Sequence, residues 1–267
     1  MIEHLVSSFG ADGWEKYTDF TSDLAWTGNY NVAGGAKTVF HNGATYMTGR
    51  KSLANGHSPY IFRWENDILE YEDIGTTTST DTGGHPHPAI LIIDDYIYIF
   101  QENDHPDNIL VWKSNAQNSI SSGFTLHHTI PFSGYYCNPR LLADGRVVIL
   151  LRDTDYSQKM YMSAINDYTT WTEQNLTIED ESVNGNWHYA SHPNLYGSNT
   201  WHYFGLRLRN NNTPSAGDEV HFGLAIYKTQ DFTTYYSIDE NFSKNIDVSG
   251  AFTRSEIETN LMIVGTN

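Results

Sequence analysis

TGGHPHPAILIIDDYIYIFQENDHPDNILVWKS, residues 82 to 114, carries two apolar runs, Ala89 to Ile93 and Tyr96 to Phe100, separated only by Asp94-Asp95. Both runs are rich in β-branched and aromatic residues, and a two-residue acidic break between such runs predicts a β-hairpin. A second turn, over Asn103 to Asp107, leads into a third strand at Ile109 to Lys113. Two histidines frame the hairpin: His85 precedes its first strand and His105 follows its second. One strand runs out and the next runs back, so the pattern puts both imidazoles at related ends of one antiparallel sheet, although they lie 20 residues apart (105 minus 85).

The hairpin repeats. Its turn at Asp95 has counterparts at Gly43, Gly145 and Asn199, with steps of 52, 50 and 54 residues. Pro88, Pro139 and Pro193 keep the same step and read as the openings of equivalent first strands, while Arg50, Arg152 and Arg207 fall seven or eight residues after their turns. Asp167-Tyr-Thr-Thr-Trp171 recurs as Asp231-Phe-Thr-Thr-Tyr235. A period near 50 residues with four short strands per unit predicts an all-β fold, a β-propeller of four-stranded antiparallel blades. A β-sandwich with coincidental spacing is the competing expectation.

Blade-like units are expected at 31–75, 82–120, 134–175 and 188–240, after an aromatic-rich start containing Trp14, Tyr17, Phe20 and Trp26. The tail from Phe242 to Asn267 is too short for a blade, so it is expected to combine with the other chain end and close a ring of five blades. The whole chain, 1–267, then forms a single propeller domain. Polar loops at Gly75 to Gly84 and Leu208 to Asp218 are long enough to rim a binding face.

Composition narrows the partners. Against 32 Asp and Glu stand 15 Lys and Arg, a formal net charge of −17, which argues against nucleic acid and anionic membranes. No apolar run approaches the ~20 residues of a membrane helix. Met1-Ile2-Glu3-His4 has neither the basic nor the apolar region of a signal peptide. The single cysteine, Cys137, excludes an internal disulfide framework. A monomer is expected.

Several side-chain groups could carry chemistry. His85, His87 and His105 cluster around one hairpin, and an imidazole with its ordinary pKa of ~6.5 can take or hold a proton at working pH; otherwise they decorate turns. Strand alternation puts His87 on the same side as His85, as support. Tyr136 stands three residues before Pro139, as His85 does before Pro88, and Arg152 follows five apolar residues, where a cation needs an anion. That anion is either a substrate or the adjacent Asp153 or Asp155. Trp187, His188 and Tyr189 occupy the matching place in the next unit, where aromatics stack on sugars or pack between blades. Asn138 and Arg140 lie beside Tyr136 as substrate-binding candidates. Cys137 with His127, His128, His188, His192 and His202 offers zinc-type ligands without a recognised spacing, which leaves room for a structural zinc or calcium ion. A glycosidase would instead draw on carboxylates such as Asp81, Asp104 or Asp153.

The order His-x-x-Pro-Ala-Ile, an apolar hairpin, a second His about 20 residues on, then Tyr-x-x-Pro-Arg-Leu, Asp-Gly-Arg and a strand-final Arg resembles the BNR-repeat propeller polysaccharide lyases, notably the ulvan lyases. The resemblance covers roughly residues 80–210. It implies cleavage of a uronate-containing, anionic polysaccharide by β-elimination, outside the cell and with no cofactor in the chemistry. His85 and Tyr136 would exchange protons with the sugar, and His105 and Arg152 would hold its carboxylate. Those enzymes usually have larger propellers, and Gly83 stands where a polar residue is expected. A non-catalytic glycan-binding propeller, such as a lectin or phage receptor-binding module, and a five-bladed glycosidase remain the other readings.

Overall fold

The computed structural model describes residues 38–53, 56–75, 88–102, 108–131, 134–153, 157–177, 186–187, 195–197, 201–210 and 220–265. Its strands form four sheets that follow one another along the chain. The first holds β1 (Thr38–His41), β2 (Ala44–Leu53), β3 (Gly56–Glu65) and β4 (Ile68–Asp73). The second holds β5 (Ala89–Ile93), β6 (Tyr96–Glu102), β7 (Asn108–Ser114) and β8 (Phe124–Pro131), and the third β9 (Gly134–Leu141), β10 (Val147–Asp153), β11 (Gln158–Ala164) and β12 (Asp167–Asn175). In all three, each strand pairs antiparallel with its neighbour in sequence.

Local chemistry fixes these hairpins. Asn42-Gly43, Asn66-Asp67 and Asp94-Asp95 all have positive φ at both positions, the conformation of the tight turn whose twist matches its strands. Asn, Asp and Gly tolerate that region best. The repeated Asp-aromatic-Thr-Thr motif is a second local device. The Asp167 carboxylate accepts from the Thr169 amide at 2.9 Å and hydroxyl at 2.7 Å, and Asp231 accepts from the amides of Thr233 and Thr234 at 2.9 and 2.8 Å. These bonds, the Thr169 hydroxyl first, lower the Asp167 pKa to about 2.

The core lies in the seams between sheets. Ile90, Ile97 and Ile99 pack against Ala44, Tyr46 and Ile61 of the first sheet, while Tyr98 and Phe100 on the other face of β6 meet Cys137, Val147, Ile149 and Leu151 of the third. Val148 and Leu150 turn the opposite way, toward Phe204, Tyr227 and Phe252. A strand buried on both faces needs an uninterrupted apolar run, and this is why AILII and VVILL are not alternating. Each such side chain contributes ~1.5–3 kcal/mol by leaving water, and no sheet could gain this alone. The architecture is that of a propeller.

The fourth sheet departs from four strands. It contains β13 (Asn186–Trp187), β14 (Leu195–Gly197), β15 (His202–Asn210), β16 (Val220–Thr229), β17 (Thr234–Ser237), β18 (Ser243–Asn245) and β19 (Met262–Gly265). β17 pairs with only the Tyr227–Thr229 end of β16. The edge left at Gly223–Ala225 is taken by β19, so the terminal strand belongs to this sheet. The expected fifth blade draws on residues 1–37, outside the described residues, which form four sheets. Two boundaries are also corrected. The second unit extends past 120 to Pro131, because the edge strand β8 follows a turn over 115–123. Pro139 lies within β9, paired with Ile149, and does not open it. Pro193 lies outside the described residues.

Candidate functional site

Each sheet has a turn end, at hairpins such as Asp94-Asp95, and a rim end, where the first strand arrives and the second departs. Two seam bonds align the rim ends. The Thr48 hydroxyl donates to the Pro88 carbonyl at 3.2 Å, joining sheets one and two, and the Cys137 amide donates to Glu102 Oε1 at 2.6 Å, joining sheets two and three. The segments preceding Ala89 and following Glu102 therefore leave from the end at which Gly134 pairs with Asp153. In the fourth sheet the same end carries Trp187, paired with Arg209.

Of the residues proposed from sequence, His85, His87, His105 and Tyr189 lie outside the described residues. Tyr136, Arg152 and Trp187 are described as strand positions, their side chains being outside the description. Asn138 is buried opposite Leu150, and Arg140 is exposed opposite Val148. The backbone thus brings Tyr136 and Arg152 to one end of one strand pair, next to the sheet whose ends lead into the three histidines.

That strand pair is irregular at one point. Asn138 pairs with Leu150 and Tyr135 with Arg152, so Tyr136 and Cys137 together oppose Leu151 alone. Two residues against one is a β-bulge, which bends its strand and re-aims side chains. The bulge also leaves one residue without a ladder partner, and here the Cys137 amide is taken by the Glu102 carboxylate from the adjoining sheet. Glu102 is buried, 5% exposed. Its place in the repeat is the one that Arg50, Arg152 and Arg207 hold in the other units, seven or eight residues after the turn. That exchange of sign was the available sequence signal, and the sequence reading missed it. Beside it Gln101 is fully buried, and neither atom of its side-chain amide has a hydrogen-bond partner among the described residues. Gln101 shares a strand face with Ile97 and Ile99, the face toward the first sheet.

Among the described residues, several phenols are unsuited to act as bases near neutral pH. Burial pushes Tyr60 and Tyr98 up to about 12, and it also raises Tyr227 and Tyr235 well above the ordinary phenol value. Burial also lowers the pKa of His127 and His202, favouring their neutral forms. These groups build the blades; His202 lies against the Phe232 ring at 4.6 Å. No group of three or more His, Cys, Asp or Glu among the described residues is arranged to hold a metal ion. His188, His192, Asp81, Asp104 and Asp155 fall outside the described residues.

Known structures share this fold. A PL25 ulvan lyase bound to -[GlcA(1-4)Rha3S]- superposes with a TM-score of 0.67 at 14% identity over 88% of this chain and 60% of that one. A second PL25 ulvan lyase structure gives 0.66 at 15%, with the same coverage. The polysaccharide lyase Uly1 gives 0.55 at 11%, over 94% of this chain and 63% of its own. This chain therefore spans less than two thirds of each, and at such identities the likeness is one of fold. No protein-family model matches the sequence, and no curated protein does.

Proposed function

We propose that this chain is a polysaccharide lyase that cleaves a uronate-containing polysaccharide, ulvan-like and sulfated in the favoured case, by β-elimination. The observation that carries the reading is the bulge at Tyr136–Cys137, one rung from Arg152 on the rim end of a propeller sheet. The shared fold with a lyase bound to a glucuronate-rhamnose sulfate supports the substrate class.

The chemistry assigns a part to each residue. The proton α to a uronate carboxylate is too weakly acidic for a free imidazole or phenol, so the developing enediolate needs fixed positive charge, which Arg152 and His105 supply. Tyr136 or His85 removes that proton. Its electron pair forms the carbon–carbon double bond, the β carbon–oxygen bond breaks, and the departing glycosidic oxygen takes a proton from the other of the two. A nearby guanidinium lowers the phenol pKa from its ordinary ~10 and suits it to the base role. His87, Asn138, Arg140, Trp187 and Tyr189 line the sugar-binding rim in this reading, which also places the enzyme outside the cell.

The test is incubation with a panel of uronic polysaccharides while ultraviolet absorbance of the conjugated product is followed. Growth of that absorbance with chain shortening is expected. New reducing ends without absorbance would mean hydrolysis, and binding without either would mean a glycan-binding propeller; each overturns the lyase assignment.

A further inference from the structure

We infer that Glu102 is a positioning residue: its buried carboxylate, reaching across the seam from the second sheet, fixes the bulge that presents Tyr136. The inference rests on the lyase reading for its kinetic consequence, but its geometric part stands without it. Burying a carboxylate is costly unless it is well hydrogen-bonded. Glu102 is 5% exposed, ends β6, and accepts the Cys137 amide at 2.6 Å, the short distance of a charge-assisted bond. A neutral side chain of the same size would fill this seam at lower cost, as Ile97 and Ile99 do in the other. Among its contacts the carboxylate is a fixed acceptor for the Cys137 amide, and that amide belongs to the residue next to Tyr136, within the two-residue bulge opposite Leu151.

In a site whose groups come from different sheets, relative placement depends on seam contacts, and displacement of about 1 Å can cost ~10²-fold in rate. The other repeats keep arginine at this place, and the substitution of an acid occurs in the unit that adjoins the bulge.

Two variants test this. Glu102→Leu removes the acceptor while filling the seam; Glu102→Gln retains an acceptor oxygen without charge. If the parent cleaves, kcat should fall ~10- to 100-fold in Glu102→Leu with KM within about twofold, and Glu102→Gln should recover most of the loss. An unchanged kcat, or a raised KM with kcat intact, overturns the inference. Tyr235→Phe controls for a generic seam defect. It deletes the 3.0 Å bond to Gln174 between sheets three and four and should lower stability without changing kcat. If the parent does not cleave, the lyase reading fails and the geometry is read directly. With 3-fluorotyrosine incorporated, the fluorine resonance that disappears in Tyr136→Phe should shift or broaden in Glu102→Leu, and its persistence unaltered rejects the positioning role.

Discussion

The two ends of the sheets treat their polar groups in opposite ways. At the turn end of the first seam, His41 Nε2 lies 2.8 Å from Asp95 Oδ1, Asn42 donates to the same carboxylate at 3.1 Å, and the Tyr46 hydroxyl donates to the Asn118 carbonyl at 3.3 Å. In the third sheet, Arg146 pairs with Asp144 at 2.7 Å at the corresponding turn. Apart from the buried Tyr46, these groups are partly exposed, and they are satisfied by one another. At the rim end, Glu102 and Gln101 are buried; one accepts from a backbone bulge in another sheet, and the side-chain amide of the other has no partner among the described residues. An arrangement optimised for stability would look like the turn end throughout. The rim end carries polar groups at a cost in stability, and natural proteins do this where a site demands it.

Mutation at the rim should break this contrast most visibly. If the chain is a lyase as proposed, Tyr136→Phe, which deletes one hydroxyl, should lower turnover ~10²- to 10⁴-fold while polymer binding survives. On the proposed lyase reading, Arg152→Ala should weaken binding and turnover together, because an ionic contact made in the ground state would strengthen as the enediolate forms. His41→Ala at the turn end is the control, with the parent's kcat/KM. Steady-state kinetics with pull-down on insoluble polymer separates the cases, and cleavage by Tyr136→Phe within about threefold of the parent would remove Tyr136 from the mechanism.

Between the extremes lie positions where packing alone decides. Gly49 on β2 faces Tyr60 across the ladder, and a Cβ there would overlap the buried phenol ring. Gly49→Ala should therefore cost ~1–3 kcal/mol by overpacking. The double variant Gly49→Ala/Tyr60→Phe should recover part of this, since the hydroxyl is the atom that the new methyl meets first. Denaturant midpoints measure both; additive losses would show that the clash is not the cause.

Gln101 sharpens the comparison at smaller scale. A fully buried amide with no partner carries a desolvation penalty of ~1–3 kcal/mol. Gln101→Leu should raise the thermal midpoint accordingly. If the amide is kept for the site, the same change should reduce polymer binding or turnover, giving a protein that is more stable and less active. A lowered midpoint would mean that the amide is serving the fold.

How much of this could be read beforehand follows from the range of the interactions. Hairpins at Asn42-Gly43 and Asp94-Asp95 are local, and the runs AILII and VVILL declare strands buried on both faces, so the repeat and its fold class were legible. β8 was not, because FTLHHTIP is an edge strand, largely half-exposed, and shows no clear alternation. The bulge was hidden by Pro139, which looks like a strand opener and sits inside β9. Tyr136 and Arg152 could be proposed because each marks its repeat; Glu102 shows in the sequence only as a break in the arginine repeat, because the backbone amide it accepts from, 35 residues away, has no sequence signature.

The smallest effect tests the turn end itself. Asp95 has its pKa lowered, first by the hydrogen bond with His41 and against a smaller opposing effect of desolvation. A carboxyl whose folded pKa lies below its unfolded value adds stability above the unfolded value and loses it as pH falls through the folded one. Relative to Asp95→Asn, the parent should therefore hold its urea midpoint higher at neutral pH, and the gap should close on acidification through the carboxylate range. The gap should be narrow, because the paired side chains are 31% and 43% exposed and solvent screens them. Added salt should narrow it further. A gap that persists in acid would mean that Asn fails to reproduce the acceptor geometry toward His41 and Asn42 and not the charge, since Asn tolerates the φ of 65° at this position as well as Asp does. Cleavage should be unaffected at every pH where both proteins are folded, for the pair stands at the end of the sheets away from Tyr136 and Arg152.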